Sequence, residues 1–121
     1  MYTVKVRSQF SSAHNLRGYK GRCEELHGHN WHVEVAVQSE DIDAIGMVVD
    51  FKELKKILEE ILSGLDHTYL NDLEQFKSIN PTSENIAKYI YKAISRKKSE
   101  LKIKDVTIWE TDTSSAIYSE Q

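Results

Sequence analysis

The chain has 121 residues, 40% of them apolar, which suffices for one core of ordinary domain size. Its 16 Lys and Arg are interspersed among 19 Asp and Glu, so a net charge of −3 gives no footing for nucleic acid or a membrane surface as a partner. A single cysteine excludes an internal disulfide and fits a reducing cytoplasm, while one proline and no biased stretch argue against disorder or an interdomain linker. No window approaches the roughly 18 apolar residues of a membrane span, and the first residues lack the pattern of a signal peptide. Residues 1–121 read as one domain.

Residues 2–10 alternate, with Tyr2, Val4 and Val6 on one side and Thr3, Lys5 and Arg7 on the other, which predicts a strand with one wet face. Residues 11–26 read as a long loop carrying Gly18 and Gly21 among Arg17, Lys20 and Arg22. A second strand is expected over 27–38, where Val33, Val35 and Val37 alternate with His32, Glu34 and Ala36. Antiparallel pairing of the two strands brings His14, just past the first, near His27 and His29.

Asp50, three residues before Glu53, resembles a capping box and opens a helix. Phe51, Leu54, Leu58, Ile61 and Leu65 form its apolar stripe, and Gly64 ends it. Asn80-Pro81-Thr82-Ser83 is a stop-then-start signal for a second helix over 83–97, with Ile86, Ile90 and Ile94 on one stripe and Arg96, Lys97 and Lys98 at its end. Two short strands, about 105–110 and 115–118, close the chain. The order is ββααββ, an α+β sandwich of two helices on one face of a four-stranded antiparallel sheet. Apolar residues on both sides of the strands suggest that the other face takes a partner in an oligomer.

The strongest chemical signal is His14 with His27-Gly28-His29. Imidazoles at i and i+2 on a strand project from one face, roughly 7 Å apart at Cα, and can turn toward one ion. Three imidazoles leave a tetrahedral position open, as in catalytic zinc sites. Zinc suits this set best, with iron, nickel or copper possible on ligand type alone. Lone histidines are more often surface groups, but three of the five converge on one corner here. Cys23 sits in the polar loop Lys20-Gly21-Arg22-Cys23-Glu24-Glu25 rather than in an apolar stripe, and is either a fourth ligand or an acid/base group beside the metal. Asp66-His67 follows the first helix; the carboxylate could hold one tautomer of the imidazole, or both could be plain surface groups. Glu110, at a strand end, could accept two N–H donors from a guanine-like heterocycle. His32 faces away from His27 and His29 and reads as surface or interface.

Six ordered blocks carry a family resemblance: His14, Cys23-x-x-x-His27-Gly28-His29-Asn30, Gly46-Met47-Val48-Val49-Asp50-Phe51, Leu65-Asp66-His67, Asn80-Pro81-Thr82-Ser83-Glu84-Asn85 and Glu110-Thr111. Together they resemble the 6-pyruvoyltetrahydropterin and 6-carboxytetrahydropterin synthases nearly end to end, with Trp31 where a smaller aromatic is usual. The resemblance implies the tunnelling fold (T-fold), trimers that close their sheets into a barrel, a hexamer of two trimers, and active sites at subunit interfaces. It implies that His14, His27 and His29 bind zinc, that Glu110 anchors the pterin ring, and that Cys23, Asp66 and His67 handle protons on 7,8-dihydroneopterin triphosphate. Arg17, Lys20 and Arg22 are candidate triphosphate contacts. The length and the Asn80–Asn85 block look most like the prokaryotic carboxy enzymes of the queuosine (7-deazapurine) pathway, which release acetaldehyde and triphosphate. The alternatives are a pyruvoyl synthase that eliminates triphosphate, and a non-catalytic zinc- or pterin-binding module.

Overall fold

Cross-strand registry organises the molecule. The computed structural model describes residues 1–19 and 25–120. Strand β1 (Tyr2–His14) pairs antiparallel with β2 (His27–Ser39), in a register that sets Tyr2 opposite Ser39 and His14 opposite His27. Helix α1 (Phe51–Ser63) follows, then two 3₁₀ turns (Leu70–Asp72 and Glu74–Phe76), helix α2 (Ser83–Lys97), and the strands β3 (Ile103–Thr111) and β4 (Ser114–Tyr118). The four strands lie in chain order in one antiparallel sheet, with α1 over β1 and α2 over β3 and β4.

Strand alternation explains the layer between sheet and helices. On β1 the even residues Val6, Phe10, Ser12 and His14 are buried, and on β2 the odd residues Trp31, Val33, Val35 and Val37. They meet Leu54, Leu58, Ile61 and Leu62 of α1 and Ile86, Ile90 and Ile94 of α2 in one core. Phe10 stacks on Trp31, with ring centroids 5.9 Å apart. The opposite face carries Lys5 and Arg7, both ion-paired to Glu34, and His32. Among the described residues, no helix is long and apolar enough to cross a membrane.

Several boundaries differ from expectation for identifiable reasons. β1 does not stop at residue 10: Ser11 to His14 continue its pairing with residues 27–30, so His14 is a strand residue rather than a loop residue. Asp50 caps α1 by accepting from the Lys52 N–H at 2.8 Å, but Glu53 does not reach back to complete a box; it pairs with Lys98 of the α2 terminus instead. Phe51 is 56% exposed, whereas Leu65, beyond the helix end, is fully buried. Thr82 is the cap of α2, its hydroxyl accepting from the Asn85 N–H at 3.1 Å.

Burial fixes which face of α1 matters. Leu58→Ala should destabilise the fold by about 2–5 kcal/mol and exposed Lys55→Ala by less than about 0.5 kcal/mol, as read from urea unfolding. Equal effects would place the wrong face inward.

Candidate metal centre

Because His14 and His27 are direct cross-strand partners, and His29 is two residues along the same face, the register delivers three imidazoles to one end of the sheet. The His14 and His27 Nε2 atoms lie 2.9 Å apart. Glu110 of β3 completes the corner: its Oε1 stands 2.9 Å from His29 Nε2 and 3.3 Å from His14 Nε2. One ligand atom from each of the four residues fits within a span of 4.8 Å. Glu110 is aimed by a bulge. Trp109 pairs with Ser115 and Thr111 with Ser114, so Glu110 has no partner on β4 and its side chain turns to the histidines.

Backbone carbonyls orient two of the rings. His14 Nδ1–H donates to Pro81 O at 2.7 Å, and His27 Nδ1–H donates to Glu25 O at 2.7 Å. Both bonds turn an Nε2 toward the shared space, the arrangement that outer partners impose on metal-binding imidazoles. His29 Nε2 is buried with no well-aligned hydrogen-bond partner among the described residues, although Glu110 Oε1 stands 2.9 Å away. Burial, foremost, holds the His29 pKa below the usual imidazole range. Glu110 is held below the usual carboxylate range, chiefly by its hydrogen bond with His14. Three imidazoles beside a carboxylate make a donor set for a divalent transition ion. Nitrogen ligands about 2.0–2.1 Å from a tetrahedral zinc stand roughly 3.3 Å apart, against 2.9 Å between the His14 and His27 Nε2 atoms and at most 4.8 Å across the whole group.

Trp31 forms the floor, with its ring 4.8 Å from His14 and 5.2 Å from His29 and its Nε1–H donating to Ser12 O. A cavity of about 310 Å³ opens beside His29, lined by Ser11, Ser12, Gly28 and Asn30. Ser83, at the start of α2, points its hydroxyl at Glu110 Oε2 across 3.5 Å. Sequence reasoning used the Asn80–Ser83 block as a helix signal and as part of the family resemblance without assigning Ser83 a contact, and the two orienting carbonyls have no side-chain signature at all.

Asp66 and His67 form a pair, His67 Nδ1 to Asp66 Oδ2 at 2.9 Å. Adjacent side chains meet here because His67 adopts φ 54°, an uncommon conformation for a residue with a Cβ. The pair is tied to the outer edge of β1: Ser11 N–H donates to Asp66 Oδ1 at 2.8 Å, and His67 N–H donates to Ser11 O at 2.6 Å. The imidazole is 82% exposed, and among the described residues no hydrogen bond joins it to the three-histidine corner. Arg17 lies elsewhere than expected, its guanidinium donating to the carbonyls of Asn71, Phe76 and Ile79. Lys20, Arg22 and Cys23 fall outside the described residues.

The sequence from residue 3 to residue 121 matches the family described as 6-pyruvoyl tetrahydropterin synthase. The chain belongs to that family. A 6-carboxy-5,6,7,8-tetrahydropterin synthase of Haemophilus influenzae is 31% identical over 99% of this chain and 100% of that relative. A dihydroneopterin monophosphate aldolase of Pyrococcus furiosus is 37% identical over 88% of each. The solved 6-pyruvoyl tetrahydropterin synthase of Caenorhabditis elegans superposes with a TM-score of 0.90 at 31% identity, over 99% of this chain and 96% of that one. The expected T-fold and family membership are therefore borne out, and the chain is a pterin-synthase-family enzyme.

The Ser11 N–H, foremost, and then His67 lower the pKa of Asp66. A carboxylate with a lowered folded pKa stabilises the fold above its unfolded value, about pH 4, and loses that contribution as the pH falls through the folded value. The melting-temperature gap between the wild type and Asp66→Ala should therefore stay constant from pH 7 to about pH 5 and close below about pH 4. A gap that widens as the pH falls below about 4 would contradict the assignment.

Proposed function

We propose that this protein is a zinc-dependent 6-carboxy-5,6,7,8-tetrahydropterin synthase that converts 7,8-dihydroneopterin triphosphate to 6-carboxytetrahydropterin, acetaldehyde and triphosphate, as in queuosine (7-deazapurine) biosynthesis. The observation that carries this reading is the convergence of the His14, His27 and His29 Nε2 atoms on one point in a pterin-synthase-family fold. Those three residues would hold zinc. A zinc bound there supplies a Lewis acid for oxygens of the substrate side chain.

Proton handling falls to the chain's own groups. Asp66 Oδ2 accepts the Nδ1–H of His67, which leaves the exposed Nε2 to take or release a proton on the substrate. Cys23, close in sequence to Arg22 and to the His27 ligand, supplies the opposing base as its thiolate. Glu110 anchors the pterin by accepting ring N–H donors, with Ser83 holding its second oxygen. Lys20 and Arg22 meet the triphosphate. Arg17 is the exception among the three expected contacts, because backbone carbonyls take up its fork.

A homo-oligomer, a dimer of trimers, completes the reading. The helix-free face and the outer edge of β4 are unpaired by any described element, and Ile45, Ile117 and Phe51 are exposed at 78%, 64% and 56%. Because His67 lies exposed in the turn bonded to the outer edge of β1, a neighbouring subunit is the natural place for it to act. The similarity to the Pyrococcus aldolase supports a second reading, carbon–carbon cleavage on a monophosphate substrate.

Incubation with 7,8-dihydroneopterin triphosphate should release acetaldehyde in step with substrate loss. Triphosphate release without acetaldehyde would point to the pyruvoyl reaction, and preference for the monophosphate to the aldolase. Cys23→Ala should abolish turnover while holding zinc; unchanged ligand binding with no turnover in the wild type would leave only a binding module. Glu110→Gln should raise KM at least about tenfold with zinc content unchanged, because an amide presents an N–H donor where the pterin needs an acceptor. Loss of zinc instead would make Glu110 a ligand.

A further inference from the structure

β1 ends at His14, and among the described residues no strand pairs with the next backbone groups. Two asparagine side chains take the place of one. Asn71 Oδ1 accepts the Asn15 N–H at 3.0 Å, and Asn71 Nδ2–H donates to Asn15 O at 2.9 Å. Two residues on, Asn80 Oδ1 accepts the Arg17 N–H at 2.9 Å, and Asn80 Nδ2–H donates to Arg17 O at 2.9 Å. Each primary amide presents an acceptor and a donor side by side, as a peptide group does, so residues 15 and 17 continue the β1 edge against side chains.

The guanidinium of Arg17 closes the arrangement from the other side. It donates to Phe76 O at 2.7 Å, to Asn71 O at 3.2 Å and to Ile79 O at 3.3 Å. Its partners lie in the stretch between α1 and α2, whose only regular elements are two 3₁₀ turns, so these carbonyls need donors from elsewhere. Downstream, Asn80 O is held by Thr82 N–H and by Asn85 Nδ2–H. Pro81 O is the next carbonyl, and it accepts from His14 Nδ1. The segment that bears the ligand, 14–17, and the segment that bears its orienting acceptor, 79–81, are thus laced together through Arg17 and Asn80.

We infer that Arg17 and Asn80 are positioning residues for His14: they fix Pro81 O where it sets the tautomer and aim of the ring, and Arg17 does not serve the triphosphate. The inference rests on the reading of His14, His27 and His29 as metal ligands. Loss of an outer-shell partner of a metal-bound imidazole weakens metal binding by about 10–100-fold. The change here sits one residue further out, which places the expected effect near tenfold.

The test uses the full chain, stripped of metal by a chelator, with zinc affinity measured by competition against a chromogenic chelator. Arg17→Lys keeps the charge but loses the fork, and Asn80→Asp keeps the acceptor but loses the donor to Arg17 O. Each should bind zinc about tenfold more weakly than the wild type, with an unchanged far-ultraviolet circular dichroism spectrum. At saturating zinc, KM for the triphosphate substrate should stay within about twofold in Arg17→Lys. Zinc affinity unchanged in both variants overturns the inference, whether or not their melting temperatures fall. So does a raised KM in Arg17→Lys with zinc binding intact, which would return Arg17 to the phosphate. Should either variant fail to fold, the other carries the measurement, and Arg17→Gln is the reserve. A wild type that binds no zinc removes the metal reading and this inference with it, whereas a wild type that binds zinc beside unaffected variants removes this inference alone.

Discussion

The pairing of His14 with His27 across β1 and β2 is the constraint on which the site depends. In an antiparallel ladder a slip of one residue sends every side chain to the opposite face. Such a slip would turn His27 and His29 to the outer face and Val33, Val35 and Val37 with them. The core and the metal corner are thus held by the same register, and burial of three valines, Trp31 and Phe10 stabilises the alignment of the imidazoles. A candidate metal corner built on strands inherits the rigidity of the sheet, which side chains on a free loop would lack.

Around that register the chain places devices that only a tertiary structure can supply. A bulge in β3 turns Glu110 inward, a left-handed backbone at His67 brings it against Asp66, and carbonyls of Pro81 and Glu25 hold two imidazoles in one tautomer. The bulge costs ladder pairing and the His67 conformation backbone strain, of the kind that clusters at functional sites. The helices contribute indirectly: α2 starts at the corner, and its first residue, Ser83, steadies the Glu110 carboxylate.

Much of this was legible in the sequence, and the failures have physical causes. The helices announced themselves through Asp50, Thr82 and a period of 3.6, and the strands through alternating valines. The His27-Gly28-His29 spacing disclosed two candidate ligands because i and i+2 share a face on a strand. Ser11 to His14 escaped because Ser-Ser-Ala has no apolar alternation; their pairing is set by residues 27–30 and by the edge contact with residues 66–69. Glu110 was marked as a pterin anchor, but its approach to the histidines depends on the bulge. Arg17 looked like a phosphate contact because it stands among basic residues and glycines, and the carbonyls that occupy it lie 54 to 62 positions away.

The central claim is a metal held by three imidazoles with the cysteine outside its coordination, and X-ray absorption at the zinc edge of the purified, zinc-loaded chain tests it most directly. The account predicts one zinc per chain with a shell of light ligands at about 2.0–2.1 Å, an imidazole scattering pattern, and no sulfur. A sulfur shell at about 2.3 Å would show Cys23 closing the site, and no stoichiometric zinc would contradict the account outright.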